Sequence, residues 1–482
     1  MKNKIIIALI SISTLACNSL EEVPLGLVSS STFYKSDKDA DAAVIAVYNA
    51  INNGQHTLYN RLIQIGTEMA TDDYEAGPRA RNAHVRALSG LTHDPSNDRM
   101  LELWRQSYDG INRANIAIDN ISSNTNLTAQ TAKNLVNEAK FLRGLLYFNL
   151  VRWFGGVPLV LHETTTLDAT SLNVSNATEP AVYDQIIKDL TDAEALPIPG
   201  KETIKGRATA GAAKSLLSKV YLTQKNWAKA AEKSKEVIDS GWYDLFANYA
   251  DVYNVATKNG KEHIFSAQSK GLTNWNGNML AGSSAPFVVP GITGDYADAL
   301  HKEGKLFAAF AETDKRKYIT FGVEFVSPTD GKTYKTDPHF NKYFDPAIPT
   351  TPYQSSKNTP IIRFSEVLLI HAEALNEQNS GPNDQAYAAI DRVRTRAGIP
   401  LLKTTSPSLS QADFREAVFE ERRKELVFEY QRWFDLARRG ADYYVAKLKA
   451  AGKTNAQAKH IHFPIPQREL DLNPNLKQVA GW

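Results

Sequence analysis

One cysteine stands in 482 residues, at position 17, so no disulfide can form within the chain and its core alone must hold it together. Neither sign of charge dominates. There are 55 Lys and Arg against 53 Asp and Glu, a formal net charge of +2, and no long run of either sign. Such a balance lacks the basic footprint of a nucleic-acid binder, and no nucleic-acid partner is expected. No apolar run reaches the roughly 20 residues that a membrane-spanning helix needs. Also missing are G-x-S-x-G, the phosphate-binding loop, H-E-x-x-H and a dinucleotide fingerprint. No cofactor is expected, and no catalytic residue is assigned. The 53 acids still leave room for the paired carboxylates of a glycosidase. His460 and His462 read as flanks of the Phe463-Pro464-Ile465-Pro466 turn, with no metal between them.

What is present is an ordinary globular composition, with 43% hydrophobic and 22% charged residues, enough to bury a large interior. At the N-terminus, Lys2 and Lys4 precede Ile5 to Ala16, an apolar and small-residue run too short to span a bilayer. A charged start, short apolar centre and small exit residue describe an export signal, expected over residues 1–16. Thr14-Leu15-Ala16-Cys17 then resembles a bacterial lipobox, with Thr14 in place of the usual Leu. The resemblance implies cleavage before Cys17 and acylation of its thiol, and two acyl chains suffice for stable anchoring. Glu21-Glu22 resembles the acidic tag that sends some Bacteroidetes lipoproteins to the cell surface.

Beyond this leader the strong periodicity is helical. Asp39 to Asn52 keeps a stripe of Ala43, Val44, Val47 and Ile51, and Trp104 to Ile121 repeats the pattern. Glu138 to Phe154 is apolar almost all round, as a central helix would be, and Gly155-Gly156 ends it. Two helix pairs follow, Ala210 to Leu222 with Trp227 to Asp239, and Glu366 to Glu377 with Asp384 to Arg396. Leu217, Ser218, Tyr221, Ala230, Ser234 and Val237 fall at tetratricopeptide offsets, where small residues let antiparallel helices approach closely. Ala386, Ile390 and Val393 repeat the second half of that spacing. A last helix is expected from Gln411 to Arg439, with Glu420 to Glu425 pairing along it at three and four residues. Trp104, Trp153, Trp227 and Trp433 read as core. From about 258 to 360 the helical period vanishes and Gly, Pro, Asn, Thr and aromatics dominate, with short strands such as Tyr318 to Val326. The expected fold is mainly α, a tetratricopeptide-like scaffold over about 30–257 and 361–482 carrying an irregular ligand-side region over 258–360, all one domain from residue 17 to 482.

The stretches Glu138 to Val160, Gly206 to Leu222, Ile361 to Glu377, Ala388 to Pro400, Phe419 to Gly440 and His462 to Gln478 together resemble the SusD/RagB family of Bacteroidetes outer-membrane lipoproteins. The likeness runs the length of the chain. It implies a non-catalytic surface protein that binds glycans, or peptides in some branches, and sits on a SusC-like TonB-dependent transporter in the outer membrane, tethered through Cys17. A peptide binder and, less favoured, a surface glycoside hydrolase remain as alternatives.

Sugars are held by an aromatic face and by amide or charged groups at their hydroxyls. Trp275, Asn276 and Asn278 meet that description within the irregular region, as does Tyr296. On the N-terminal side Asp72, Asp73 and Tyr74, followed by Arg79 and Arg81, form a polar stretch whose position resembles a ligand-contacting loop of the family.

Overall fold

The computed structural model describes residues 33–482, apart from 53, 55, 167 and 272–275. The expected signal peptide, Cys17 and Trp275 lie outside the described residues. The chain is mainly α-helical, and successive helices pack on one another. Helices α1 (Asp37–Ile51), α2 (Ala83–Gly90), α3 (Asp98–Ser122), α4 (Ala129–Phe154) and α5 (Glu179–Ala193) lead into the pair α6 (Ala210–Thr223) and α7 (Trp227–Asp239). Polar side chains fix the starts: Ser36, Asn82, Asn97, Thr178, Thr209 and Asn226 each accept a backbone N–H from the first turn they precede.

Helix α4 is buried on nearly every side beyond Asn137 and packs against α3 and α5. Its Arg143 donates two 2.8 Å hydrogen bonds to Asp189 on α5 and one of 2.8 Å to Asn115 on α3, so a single guanidinium ties three helices. Trp104, Trp153 and Trp433 are buried as expected, and Trp227 is partly buried against the same core.

The second pair, α8 (Phe364–Gln378) and α9 (Asp384–Ala397), follows α7 in space although some 120 residues separate them in sequence. Ser234 on α7 and His371 on α8 hydrogen-bond at 2.9 Å across that joint. The irregular region is thus an insertion between two helices that stack as neighbours. Its order comes from three antiparallel ribbons. Strand β1 (Tyr74–Ala76) pairs with β3 (Asp298–Leu300), β2 (His263–Ala267) with β6 (Thr359–Arg363), and β4 (Phe321–Val326) with β5 (Thr333–Phe340). The strand expected from Tyr318 begins instead at Phe321, after one helical turn over Lys317–Thr320.

The last long helix is also not continuous. It divides into α10 (Gln411–Glu425) and α11 (Arg432–Arg438), followed by α12 (Ala441–Ala450). Between α10 and α11 Phe428 and Tyr430 take φ of 62° and 63°, in the left-handed region that side chains normally avoid. Tertiary contacts hold them there. The Phe428 ring stacks on Phe340 with centroids 4.7 Å apart, and the Tyr430 hydroxyl donates to the Tyr59 carbonyl.

The charges of α10 pair across the fold more than along the helix. Arg316 meets Glu421 at 2.6 Å and Glu425 at 3.0 Å, Arg363 meets Glu262, Glu425 and Glu429, and Arg396 meets Glu262 and Glu425. All of these side chains are buried. Only Arg423–Glu420 within α10 keeps the expected three-residue spacing.

Candidate ligand-binding cleft

Four separate segments meet at an open cleft of about 720 Å³. The first follows α1. Two π-helical turns, Leu58–Leu62 and Gln64–Glu68, meet at Ile63, and the first is kinked internally at Asn60 and Arg61. Arg61 has φ 91°, a conformation that costs about 1–3 kcal/mol and persists only where its surroundings over-determine it. Those surroundings are visible. The Asn60 amide donates to the Gly54 and Gly277 carbonyls and accepts from the Met279 N–H. The buried Arg61 guanidinium donates two 3.3 Å bonds to Asp298 on β3, with Asp295 3.9 Å away.

The second segment runs on from β1. Gly77 donates to the Ala297 carbonyl at 2.8 Å, and a Cβ there would stand 2.0 Å from the Tyr296 carbonyl oxygen. Only glycine allows that approach. The chain then turns over Gly77–Ala80, burying Ala80 as a foot and leaving Arg79 and Arg81 exposed on the cleft wall. The Arg79 guanidinium donates to the Gly294 carbonyl at 3.4 Å and lies 5.0 Å from the centre of the Phe287 ring.

The remaining walls come from the start of α3, with Arg99 and Glu102, and from the insertion, with Ile292 to Asp295, Ala297 and Tyr353. The Tyr353 ring lies against Gly282, where a Cβ would meet the ring at 2.4 Å. Burial raises the Asp295 pKa against the opposing charge of Arg61, and burial followed by the Asp295 charge raises that of Tyr353. Burial, then Arg61 and Arg99, pushes His56 down to about 4, so its imidazole is neutral near pH 7. Its buried Nδ1 has no hydrogen-bond partner among the described residues. The cleft therefore presents fixed guanidinium, carboxyl, phenol and imidazole groups around a solvent-open volume. Among the described residues no group of three His, Cys, Asp or Glu side chains is placed to hold a metal ion.

Of the residues expected at a site, Arg79 and Arg81 line this cleft. Tyr296 stands between two lining residues, but its ring stacks on His339 with centroids 4.0 Å apart. Asn276 lies apart from it, its carbonyl accepting from the Lys270 N–H. Asn278 is buried and spends its amide on Lys357, Thr359 and the Leu280 N–H. Asp72, Asp73 and Tyr74 are buried too, so this polar stretch, expected to contact a ligand, faces the interior. Asp72 accepts from Arg432 at 2.8 and 2.6 Å, Asp73 from Arg423 at 2.9 Å, and Tyr74 stacks on Phe340. Their carboxylates neutralise arginines some 350 positions later. His56, Arg61, Asn82, Arg99, Glu102, Asp295 and Tyr353 were not foreseen. No spacing links them, since they converge only through the kink and the β1–β3 ribbon.

A helical scaffold with a polar cleft walled in part by an inserted region has counterparts among known proteins. Residues 223–482 match the model of the SusD family, and residues 34–222 match a second, described as starch-binding associating with outer membrane. The chain belongs to the SusD family. It is 27% identical to SusD-like protein P25 of Formosa agariphila, over 99% of this chain and 98% of that one. A SusD-like protein of Bacteroides ovatus is 26% identical over 90% of this chain and 82% of its own length. Among solved structures, a laminarin-binding SusD-like protein is 27% identical and superposes with a TM-score of 0.78 over 93% of this chain and all of that one. Surface glycan-binding protein A of Bacteroides uniformis shares the fold, with a TM-score of 0.77 and 24% identity over 92% of this chain and 99% of its own. No helix among the described residues is long and apolar enough to cross a membrane.

Proposed function

We propose that this chain is a non-catalytic, cell-surface glycan-binding lipoprotein that captures oligosaccharide in the cleft and passes it to a SusC-like TonB-dependent transporter. The observation that carries the reading is the cleft itself. It is open, about 720 Å³, and walled by pre-positioned hydrogen-bonding groups from Arg61, Asp295 and Tyr353, as a ligand rich in hydroxyls requires. Support comes from the 27% identical solved relative, a laminarin-binding SusD-like protein. In this reading the Tyr353 ring supplies the apolar face for a sugar and Asp295 accepts its hydroxyls.

Calorimetric titration with a panel of oligosaccharides tests this. Tyr353→Ala should weaken binding about tenfold or more, the usual cost of losing an aromatic anchor of 1–3 kcal/mol. Parent-like affinity in a folded Tyr353→Ala variant, or cleavage of the sugar, would contradict the reading.

The tether follows from Cys17. A thioether-linked pair of acyl chains would hold the protein at the outer membrane beside its transporter, raising their effective concentration without new contacts. Cys17→Ser should move the protein from the membrane fraction to the soluble envelope fraction. A membrane-bound serine variant would exclude the anchor. Co-purification of a large TonB-dependent barrel in mild detergent is the matching expectation for the partner.

A further inference from the structure

We infer that the ligand is an acidic oligosaccharide, carrying a uronate carboxylate or a sulfate ester, and that Arg79 and Arg81 receive its charge. The inference rests on the cleft being the glycan site and names the class of glycan.

Four arginines line the cleft, and they divide into two kinds. Arg61 is matched by Asp298 and Asp295, and Arg99 by Asp98 and Glu102, each within 4.0 Å. All four of those carboxylates therefore face arginines of their own. Arg79 and Arg81 have no ion-pair partner among the described residues. The nearby imidazole of His56 is neutral and adds no charge of either sign. The formal charge of the site is thus separated. An arginine rim on the Gly77–Asn82 segment carries two unpaired cations, whereas the inner wall sets Arg61 and Arg99 against Asp295, Asp298, Asp98 and Glu102, a formal excess of two negative charges.

The local structure holds this rim in place. Ala80 is buried between the two arginines, and the turn that contains Arg79 is pinned to the Ile292–Ala297 segment through Gly77 and Ala297. Contact with Gly294 and the Phe287 ring leaves other guanidinium N–H groups of Arg79 free to point at a ligand. Guanidinium forks match planar carboxylates and sulfate oxygens, and such charge-assisted bonds are stronger than those to neutral hydroxyls. A neutral glucan would draw instead on stacking platforms. Among the described lining residues the only rings are His56 and Tyr353.

The test uses the full-length mature protein in affinity electrophoresis and calorimetry. Polygalacturonate and alginate form the uronate arm, carrageenan the sulfate arm, and starch, laminarin and xyloglucan the neutral arm. At least one acidic polymer or its oligosaccharides should bind, and more weakly as NaCl rises from 50 to 500 mM, because both arginines are exposed to screening. Arg79→Gln and Arg81→Gln should each weaken that binding about tenfold or more, and together abolish it, with the fold intact by circular dichroism. Preference for uronate or for sulfate identifies which anion is recognised. Binding of a neutral polymer alone, lost in Tyr353→Ala and unchanged in the double arginine variant, overturns the inference but keeps the cleft as the glycan site. Acidic binding that survives the double variant also overturns it. Failure of every polymer in all three arms overturns the glycan reading itself.

Discussion

Replacing Glu425 with alanine should destabilise the protein by about 3–5 kcal/mol, the cost of removing one partner from a buried ion cluster. Glu425 is buried and accepts from Arg316, Arg363 and Arg396, which come from the insertion, the end of β6 and α9. Without its carboxylate the three arginines retain Asp314, Glu421, Glu262 and Glu429, but their shared centre is gone and cationic charge faces cationic charge. Burial alone would raise the Glu425 pKa. The charges of Arg396, Arg363 and Arg316 overcome that and hold it well below the usual carboxylate range. Its contribution is therefore complete at pH values above the unfolded pKa of roughly 4.5 and is lost as pH falls through the depressed folded value. Asp435, held down to about 2 by Arg422 and Arg438 against the effect of burial, adds to acid sensitivity in the same direction. Denaturant unfolding at pH 7 checks the alanine variant. The parent should lose stability steadily between about pH 4.5 and 2, with a shallower loss in Glu425→Gln. An alanine variant within 1 kcal/mol of the parent would mean that the cluster contributes little.

Asp298→Ala is the second large effect, and it should strike both stability and binding. The Asp298 carboxylate is fully buried on β3, and it is the group that holds Arg61 in its left-handed conformation beneath the cleft. Its removal leaves a buried guanidinium with only Asp295, 3.9 Å away. About 3 kcal/mol of stability should be lost, and the kink at Asn60–Arg61 should relax toward ordinary backbone geometry. Relaxation of the kink would displace Arg61 and, through Asp295, Tyr353. Oligosaccharide affinity should fall at least tenfold even under conditions where the variant is fully folded, as calorimetry would show. Retention of full affinity in a folded Asp298→Ala protein would separate Arg61 from the site.

Much of the scaffold can be read in the sequence because helical periodicity is a local signal. The helix from Trp227 to Asp239 lies where its apolar spacing places it, and the helices expected over Ala210 to Leu222 and Asp384 to Arg396 end within a residue of their observed bounds. The break after Glu425 is not local. Nothing between Leu426 and Gln431 is a helix breaker by composition, and the turn exists because Phe428 and Glu429 are claimed by Phe340, Lys342 and Arg363. The same reason explains the site. Asp72 and Asp73 look like solvent-facing acids until Arg423 and Arg432 are brought beside them, whereas Arg79 and Arg81 stay exposed, with no carboxylate beside them among the described residues. Tyr353 and Asp295 sit in a stretch with no period at all, and only the insertion's ribbons place them against the N-terminal kink.

A crystal structure of the mature protein with the oligosaccharide selected by the binding panel is the most direct measurement of the account. The sugar should lie in the cleft between Arg61, the Gly77–Asn82 segment, Asp295 and Tyr353, uncleaved, with a hydroxyl within hydrogen-bond distance of the Asp295 carboxylate. Density for the sugar on another face of the protein, with this cleft empty, would contradict it.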